Sequence, residues 1–246
     1  MEKAIRELFI DEKYPRASRY DPEWIVKNQR GSHCLFLMES LTMELDLRPG
    51  MRVLDIGCGA AIDAIFLAKE FGVQVWAVDL WTDPTENYAR ICEAGVQDLV
   101  FPMKAHARQL PFAKGYFDCI LGINSYFFFG TDDLCFPEYV HLLADGGQIG
   151  MIMPGFSTEP GVVAPDYYQS FFERFPEMYA YHSPEYWREK WAKTGLCDVL
   201  CADTLENDDG YRMWTIWEQV IGEDWFATND PERNVTFVRI TAKKRT

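Results

Sequence analysis

Two glycines one residue apart, Gly57 and Gly59, stand where an apolar run gives way to a helical one. Residues 51–56 read as a short buried strand, and residues 60–71 carry apolar side chains at helical spacing up to Gly72. Glycines at such a junction permit a tight turn and close backbone approach, and the helix start offers free N–H groups. The segment therefore suits a nucleotide-like ligand. Asp79 lies in a second apolar run, residues 73–80, twenty residues beyond Gly59. A carboxylate there accepts hydrogen bonds from ribose hydroxyls. Each half of this pair is common alone; together they are informative.

The rest of the loop separates two ligand classes. A dinucleotide fingerprint wants Gly or Ala at the sixth loop position, where this chain has Ile62. It also has no use for an acid before the first glycine, and Asp55 stands there. S-adenosylmethionine carries no phosphate but does carry an α-ammonium and a sulfonium. An acid at the strand end suits that charge, directly or by ordering the loop.

With these residues the chain resembles the class I S-adenosylmethionine-dependent methyltransferases, in the branch acting mostly on small molecules. Asp55, Gly57 and Gly59 match the family's acid followed by G-x-G-x-G, with Ala61 at the third glycine. Asp79 with Leu80 matches its acid after the second strand. Its D-A-x-x-L-P-F motif reads His106-Ala107-Arg108-Gln109-Leu110-Pro111-Phe112 here. His106 thus replaces the Asp that commonly approaches the adenine amino group. Asp145-Gly146-Gly147 fits the glycine turn before the fifth strand. The resemblance covers residues 50–153 well. It implies cofactor contacts at Asp55, Gly57, Cys58, Gly59, Ala61, Asp79, Leu80, His106, Ala107, Asn124 and Ser125, with S-adenosylhomocysteine as product. Residues 20–33 are similar to a lead-in of members described as cyclopropane-fatty-acid-synthase-like, where it lies over the methionine end of the cofactor.

The sulfonium is already a strong electrophile, so alignment of the acceptor and exclusion of water matter most. Asn124-Ser125-Tyr126 follows the fourth strand, at the edge where open α/β sheets bind ligands. Tyr126 could donate a hydrogen bond or present its ring to a cation, or simply pack as Phe127, Phe128 and Phe129 do. His33 and His182 are the other catalytic candidates, because imidazole has the right unperturbed pKa for a general base. His33 would serve if the N-terminal helix closes over the site; His182 opens a helix-cap pattern, His182-Ser183-Pro184-Glu185. The expected reaction is in-line methyl transfer to O, N or S of a small molecule. Alternatives are a non-catalytic S-adenosylmethionine-binding module and a lipid-modifying cyclopropane-synthase-like enzyme.

Composition narrows the partners. The 24 basic and 38 acidic residues leave a formal charge of −14, which repels phosphate backbones. Nucleic-acid amino-methyltransferases usually carry N-P-P-Y where this chain has Asn124-Ser125-Tyr126-Phe127. The seven cysteines form no CxxC pair, so no metal site is expected and a reducing cytoplasm is. No apolar run approaches a membrane span, and the first residues lack a signal-peptide core. The chain is expected as a monomer or homodimer.

These residues need a scaffold to converge. Strands at residues 51–56, 73–80, 100–104, 117–123 and 148–153 alternate with helices at 60–71, 85–94 and 136–143, which implies a mostly parallel sheet covered on both faces. The expectation is one α/β, Rossmann-like, doubly wound domain of about seven strands. Residues 1–47 form a helical lead-in, with one helix over 24–47, and residues 50–153 the cofactor-binding core. Residues 154–234 form an aromatic cap or insertion that includes a late strand at 198–202. Residues 235–246 hold the last strand, antiparallel, and the tail. The cap's Tyr167, Tyr168, Phe171, Phe172, Tyr179, Tyr181, Tyr186 and Trp187 suit either a wall of the acceptor pocket or plain core.

Overall fold

The computed structural model describes residues 3–29, 31–160 and 166–245. Part of the expected cap, residues 161–165, and the side chain of Tyr167 lie outside the described residues.

Seven strands form one sheet: β1 (Arg52–Ile56), β2 (Gln74–Asp79), β3 (Val100–Lys104), β4 (Phe117–Ile123), β5 (Leu143–Phe156), β6 (Cys197–Asp203) and β7 (Val235–Lys244). Their order is β3-β2-β1-β4-β5-β7-β6. β1 through β5 pair in parallel, and β7 runs antiparallel between β5 and β6. The winding direction reverses between β1 and β4, so loops leaving those two strands diverge and open a crevice at their carboxyl ends. The expected doubly wound architecture, with its antiparallel last strand, is the one observed.

Period-two alternation along the central strands feeds two cores. Val53, Val75, Cys119 and Leu121 face a core shared with α3 (Cys34–Thr42), α4 (Ile62–Phe71) and α5 (Pro84–Glu93). Leu54, Ile56, Val78 and Ile120 face the other, built with α6 (Cys135–Leu142), α7 (Asp166–Arg174) and α8 (Pro184–Ala192). The cap aromatics join this second core. Phe136 stacks on Trp191 at 4.4 Å between centroids, Tyr126 lies 5.3 Å from Trp187, and Phe127 lies edge-on to Tyr181 at 5.1 Å.

The single helix expected over residues 24–47 is instead two. The short helices α1 (Lys3–Glu7) and α2 (Pro22–Asn28) come first, and α3 follows non-helical backbone at residues 29 and 31–33. Gly31 takes φ +104° and His33 φ +40° there. Gly31 passes so close to β4's end that an added Cβ would sit 3.2 Å from Asn124 Nδ2. The break lets the lead-in turn across the crevice, which a continuous helix would have to bypass. β5 is longer than residues 148–153 because β7 pairs with it from Gln148↔Lys243 to Phe156↔Val235.

Candidate active site

The glycine loop is held from three sides. The N–H groups of Gly57 and Cys58 both donate to the carbonyl of Val78, at 2.8 and 3.0 Å, joining the ends of β1 and β2. Gly57 has φ +73°, and a Cβ there would fall 2.4 Å from Ser125 Cβ, so only glycine fits. Ser125 in turn donates from Oγ to the carbonyl of Ile56 at 2.7 Å. Its hydroxyl braces the strand end. Ala61, at φ +59°, turns the chain into α4.

From α5 come two residues that the sequence reading missed. Asn87 donates to the carbonyl of Gly59 at 2.9 Å, and Arg90 donates to the carbonyl of Ala60 at 3.2 Å. Arg90 also donates to Asn28 Oδ1 at 2.9 Å, tying the lead-in to the loop. Their signal was a pair of polar residues three apart on the inward face of an amphipathic helix.

Asp79 sits at the end of β2 as expected. Its Oδ2 accepts from the Gly59 N–H at 3.0 Å; its Oδ1 accepts from Trp81 and Thr82 at 2.8 and 2.7 Å. Oδ2 therefore keeps acceptor capacity for a ribose hydroxyl. Leu80, Trp81 and Phe128 are exposed beside it, and the Trp81 and Phe128 rings meet edge-on at 6.2 Å. Ala105 donates to the Asp79 carbonyl at 3.1 Å, which brings the His106-Ala107 motif to the same edge. His106 is exposed and accepts from the Arg108 N–H at 3.1 Å.

Asp55 is 1% exposed and its Oδ2 has no hydrogen-bond partner. Alternation along β1 turns it toward the α4 face, near Asp63, whose Oδ1 is also unpartnered. Burial raises the Asp55 carboxyl well above the usual carboxylate range, and the charges of Asp63 and Asp79 push it further. Burial likewise lifts Asp63 to about 7. Burial, with the same three acids, raises the Cys58 thiol, so it remains protonated.

Unpartnered buried atoms concentrate here. Besides Asp55 and Asp63 they include Oδ1 of Asn124; Gln29, just past α2, and His33, packed between Phe9 and Phe36, carry others, and Trp187 Nε1 and Thr241 Oγ1 lie further off. Such groups are rare in folded proteins, and a cluster of them marks a place where a ligand completes the hydrogen bonding. The set, rich in acceptors and buried carboxylates, fits the ammonium and sulfonium of S-adenosylmethionine, and Asp79 fits its ribose.

The three catalytic candidates separate. Tyr126 is a correction: it is fully buried, and its hydroxyl accepts from Trp191 Nε1 at 3.1 Å. Burial raises its pKa strongly, so it is a neutral packing residue of the second core facing α8. His33 is corrected too. Its ring lies between Phe9 and Phe36, 4.7 and 4.1 Å between centroids. Burial drives its pKa down to about 3, making it a poor base. His182 stands apart from both. Its Nδ1 lies 2.7 Å from Glu159 Oε1, and its ring stacks on Tyr186 at 3.6 Å. Burial works against ionisation of Glu159, but hydrogen bonds from His182 and Ser183 hold its carboxyl below the usual range. The His182 carbonyl accepts from Phe156 N, which places the pair at the end of β5.

Among the described residues, no cluster of three His, Cys, Asp or Glu groups is placed to hold a metal ion, and no helix is long and apolar enough to cross a membrane. A separate cleft of about 330 Å³ lies between residues 107–110 and α6, bordered by the Arg108–Asp132 ion pair.

The chain is similar to known methyltransferase domains in sequence and in fold. The model of the methyltransferase domain matches residues 53–147, and that of protein-L-isoaspartate(D-aspartate) O-methyltransferase matches residues 1–96. Methyltransferase GfsG of Streptomyces halstedii is 31% identical over 116 residues, covering 47% of this chain and 42% of that protein. The chain spans less than half the length of the curated relatives it matches. A phosphoethanolamine N-methyltransferase of Haemonchus contortus, solved with S-adenosyl-L-methionine, superposes with a TM-score of 0.68 at 19% identity. The match covers 98% of this chain and 60% of that one. The [4+2]-cyclase SpnF superposes with a TM-score of 0.66 at 16% identity, covering 86% and 80%.

Proposed function

We propose that the central part of this chain, matched over residues 53–147 by the methyltransferase-domain model, is a class I methyltransferase domain, and that the protein transfers a methyl group from S-adenosylmethionine to O, N or S of a small-molecule acceptor. The carrying observation is the convergence of unpartnered buried acceptors with the glycine loop and Asp79. When bound, the cofactor supplies an electrophilic methyl on a positive sulfur. Asp79 would hold the ribose; Asp55 and Asn124 would face the cationic end. The exposed edge of Leu80 and Trp81 would lie along the adenine.

The chain's own task is then to bind, orient and exclude water. For acceptors that must lose a proton, His182 is the base this reading favours. Glu159, ionised across the neutral range, would orient the imidazole and stabilise it once protonated. A small acceptor, rather than nucleic acid, is supported by the charge of −14. Cysteines that are not joined in disulfides support a cytoplasmic setting, with the protein acting as a monomer or homodimer.

Incubation with methyl-labelled cofactor and a panel of amine, hydroxyl and thiol metabolites tests the proposal. Labelled product is expected from at least one acceptor class. A chain that binds cofactor but labels nothing would instead be a binding module. That second reading is favoured by one specific observation: Tyr126 and His33 are both buried in packed cores.

A further inference from the structure

Two buried carboxyls stand at either end of the glycine loop. Asp55 lies one residue before the end of β1, and Asp63 lies in the first turn of α4, two residues past Ala61. They are 1% and 6% exposed, and Asp55 Oδ2 and Asp63 Oδ1 have no hydrogen-bond partner. The strand neighbours of Asp55, Ala77 and Leu121, are apolar.

The charged groups on the surrounding elements offer no relief. Asp79, at the end of β2, adds a third acid whose charge acts on Asp55, and the Cys58 thiol between them stays protonated. On α5, Arg90 is held by Asn28, Ala60 and Asn87 and pairs with Glu86. On α3, Glu39 accepts from the N–H groups of Arg16 and Ala17, and His33 at its start is neutral. Further along α4, Lys69 is exposed and Glu70 pairs with Arg19. Two neighbouring carboxylates without water or a counter-charge cannot both stay ionised. On its own, the chain therefore keeps a proton on Asp55 and Asp63.

We infer that Asp63 acts with Asp55 as one proton-holding pair, which surrenders a proton to solvent when the cofactor's α-ammonium settles beside Asp55. This rests on the reading that the chain binds S-adenosylmethionine, and adds to it a role for Asp63 and a proton in the binding step. A carboxyl O–H bond breaks, the proton passes to buffer, and no bond of the cofactor changes. The carboxylate left behind gains the counter-charge that burial had denied it. Burial lifts Asp63 to about 7 and Asp55 well above the ordinary carboxylate range, which places the release near neutral pH. Because the complex holds fewer protons than the free chain, affinity for a ligand carrying the ammonium rises with pH through this range.

The test counts protons by calorimetry at about pH 7 in PIPES and in imidazole, buffers of small and large ionisation enthalpy. S-adenosylhomocysteine should release roughly 0.5–1 proton per site and bind about fivefold or more tightly at pH 8 than at pH 6. The ligand 5′-methylthioadenosine keeps the nucleoside but lacks the ammonium. It should release less than about 0.2 proton, with affinity constant within about twofold. Asp63→Asn, of the same size, sets an amide N–H beside Asp55 and should cut the release by more than about half; methylthioadenosine binding within about twofold of wild type certifies its fold. The wild-type comparison of the two ligands stands whether or not this variant folds. Equal heats in both buffers overturn the inference, as do equal release by both ligands and undiminished release in Asp63→Asn. Failure of the wild type to bind S-adenosylhomocysteine overturns the underlying reading instead.

Discussion

Above the ends of β1 and β4, several buried polar atoms lack partners; in the cap above the end of β5, Trp187 Nε1 is the single such atom among the described residues. Asp55, Asp63 and Asn124 stand on the first side. On the second, Tyr126 is bonded to Trp191, and His182 and Ser183 to Glu159. The two regions meet at Asn124-Ser125-Tyr126, where adjacent residues serve opposite ends. Aromatic richness marked the cap as interesting, but aromatics that satisfy one another are core. Unsatisfied polarity is the better marker of a ligand site.

Substitutions can break this comparison. The largest effect belongs to the cap. Trp191, fully buried and bonded to Tyr126, should cost roughly 3–5 kcal/mol of stability when changed to Ala, read by denaturant unfolding, with little change in S-adenosylhomocysteine affinity of the remaining folded protein. A selective loss of cofactor affinity would move the cap into the cofactor site. On the other side, Asp79→Ala should weaken cofactor binding by about 1–3 kcal/mol, because a ribose hydroxyl and three backbone N–H groups lose their acceptor. Equal affinity would mean that the adenosine is held elsewhere.

A pH series sharpens the contrast further. Asp63 is raised to about 7 by burial, whereas its unfolded value lies near the ordinary carboxylate range. Between these pH values the folded state holds more protons than the unfolded state. The contribution of Asp63 to stability therefore falls as pH rises from about 4 to about 7. Asp55, raised by burial and by the charges of Asp63 and Asp79, shifts stability in the same direction. Asp63→Asn should lose this slope, most visibly as a smaller difference in melting temperature between pH 5.5 and 8. A slope equal to that of the wild type would remove Asp63 from the linkage. The smallest effect is expected from Tyr126→Phe: about 0.5–1.5 kcal/mol of stability for the lost Trp191 bond, and unaltered turnover. A large fall in turnover without destabilisation would return Tyr126 to the active site.

Much of the cofactor loop was legible in the sequence because its constraints are local. Gly57, Asp55 and Asp79 are set by one turn and two strand ends, and short-range pattern carries that information. Ser125 was read as a polar contact and proves to brace the loop from β4. The direction of Tyr126 was not legible, since a residue just past a strand can face the crevice or the cap. The choice is made by Trp191, 65 residues away. Asn87, Arg90 and Glu159 went unnoticed for a related reason. Each is an ordinary polar residue in its own segment and gains meaning only from a partner on another element. The break at Gly31 was hidden by apolar spacing that suited one long helix.

The central claim is that the unpartnered side of the crevice is a cofactor site. Calorimetric titration of the wild-type chain with S-adenosylhomocysteine tests it most directly. Saturable one-to-one binding is expected, weakened by Asp79→Ala and left largely intact by Trp191→Ala; absence of binding at millimolar ligand would contradict it.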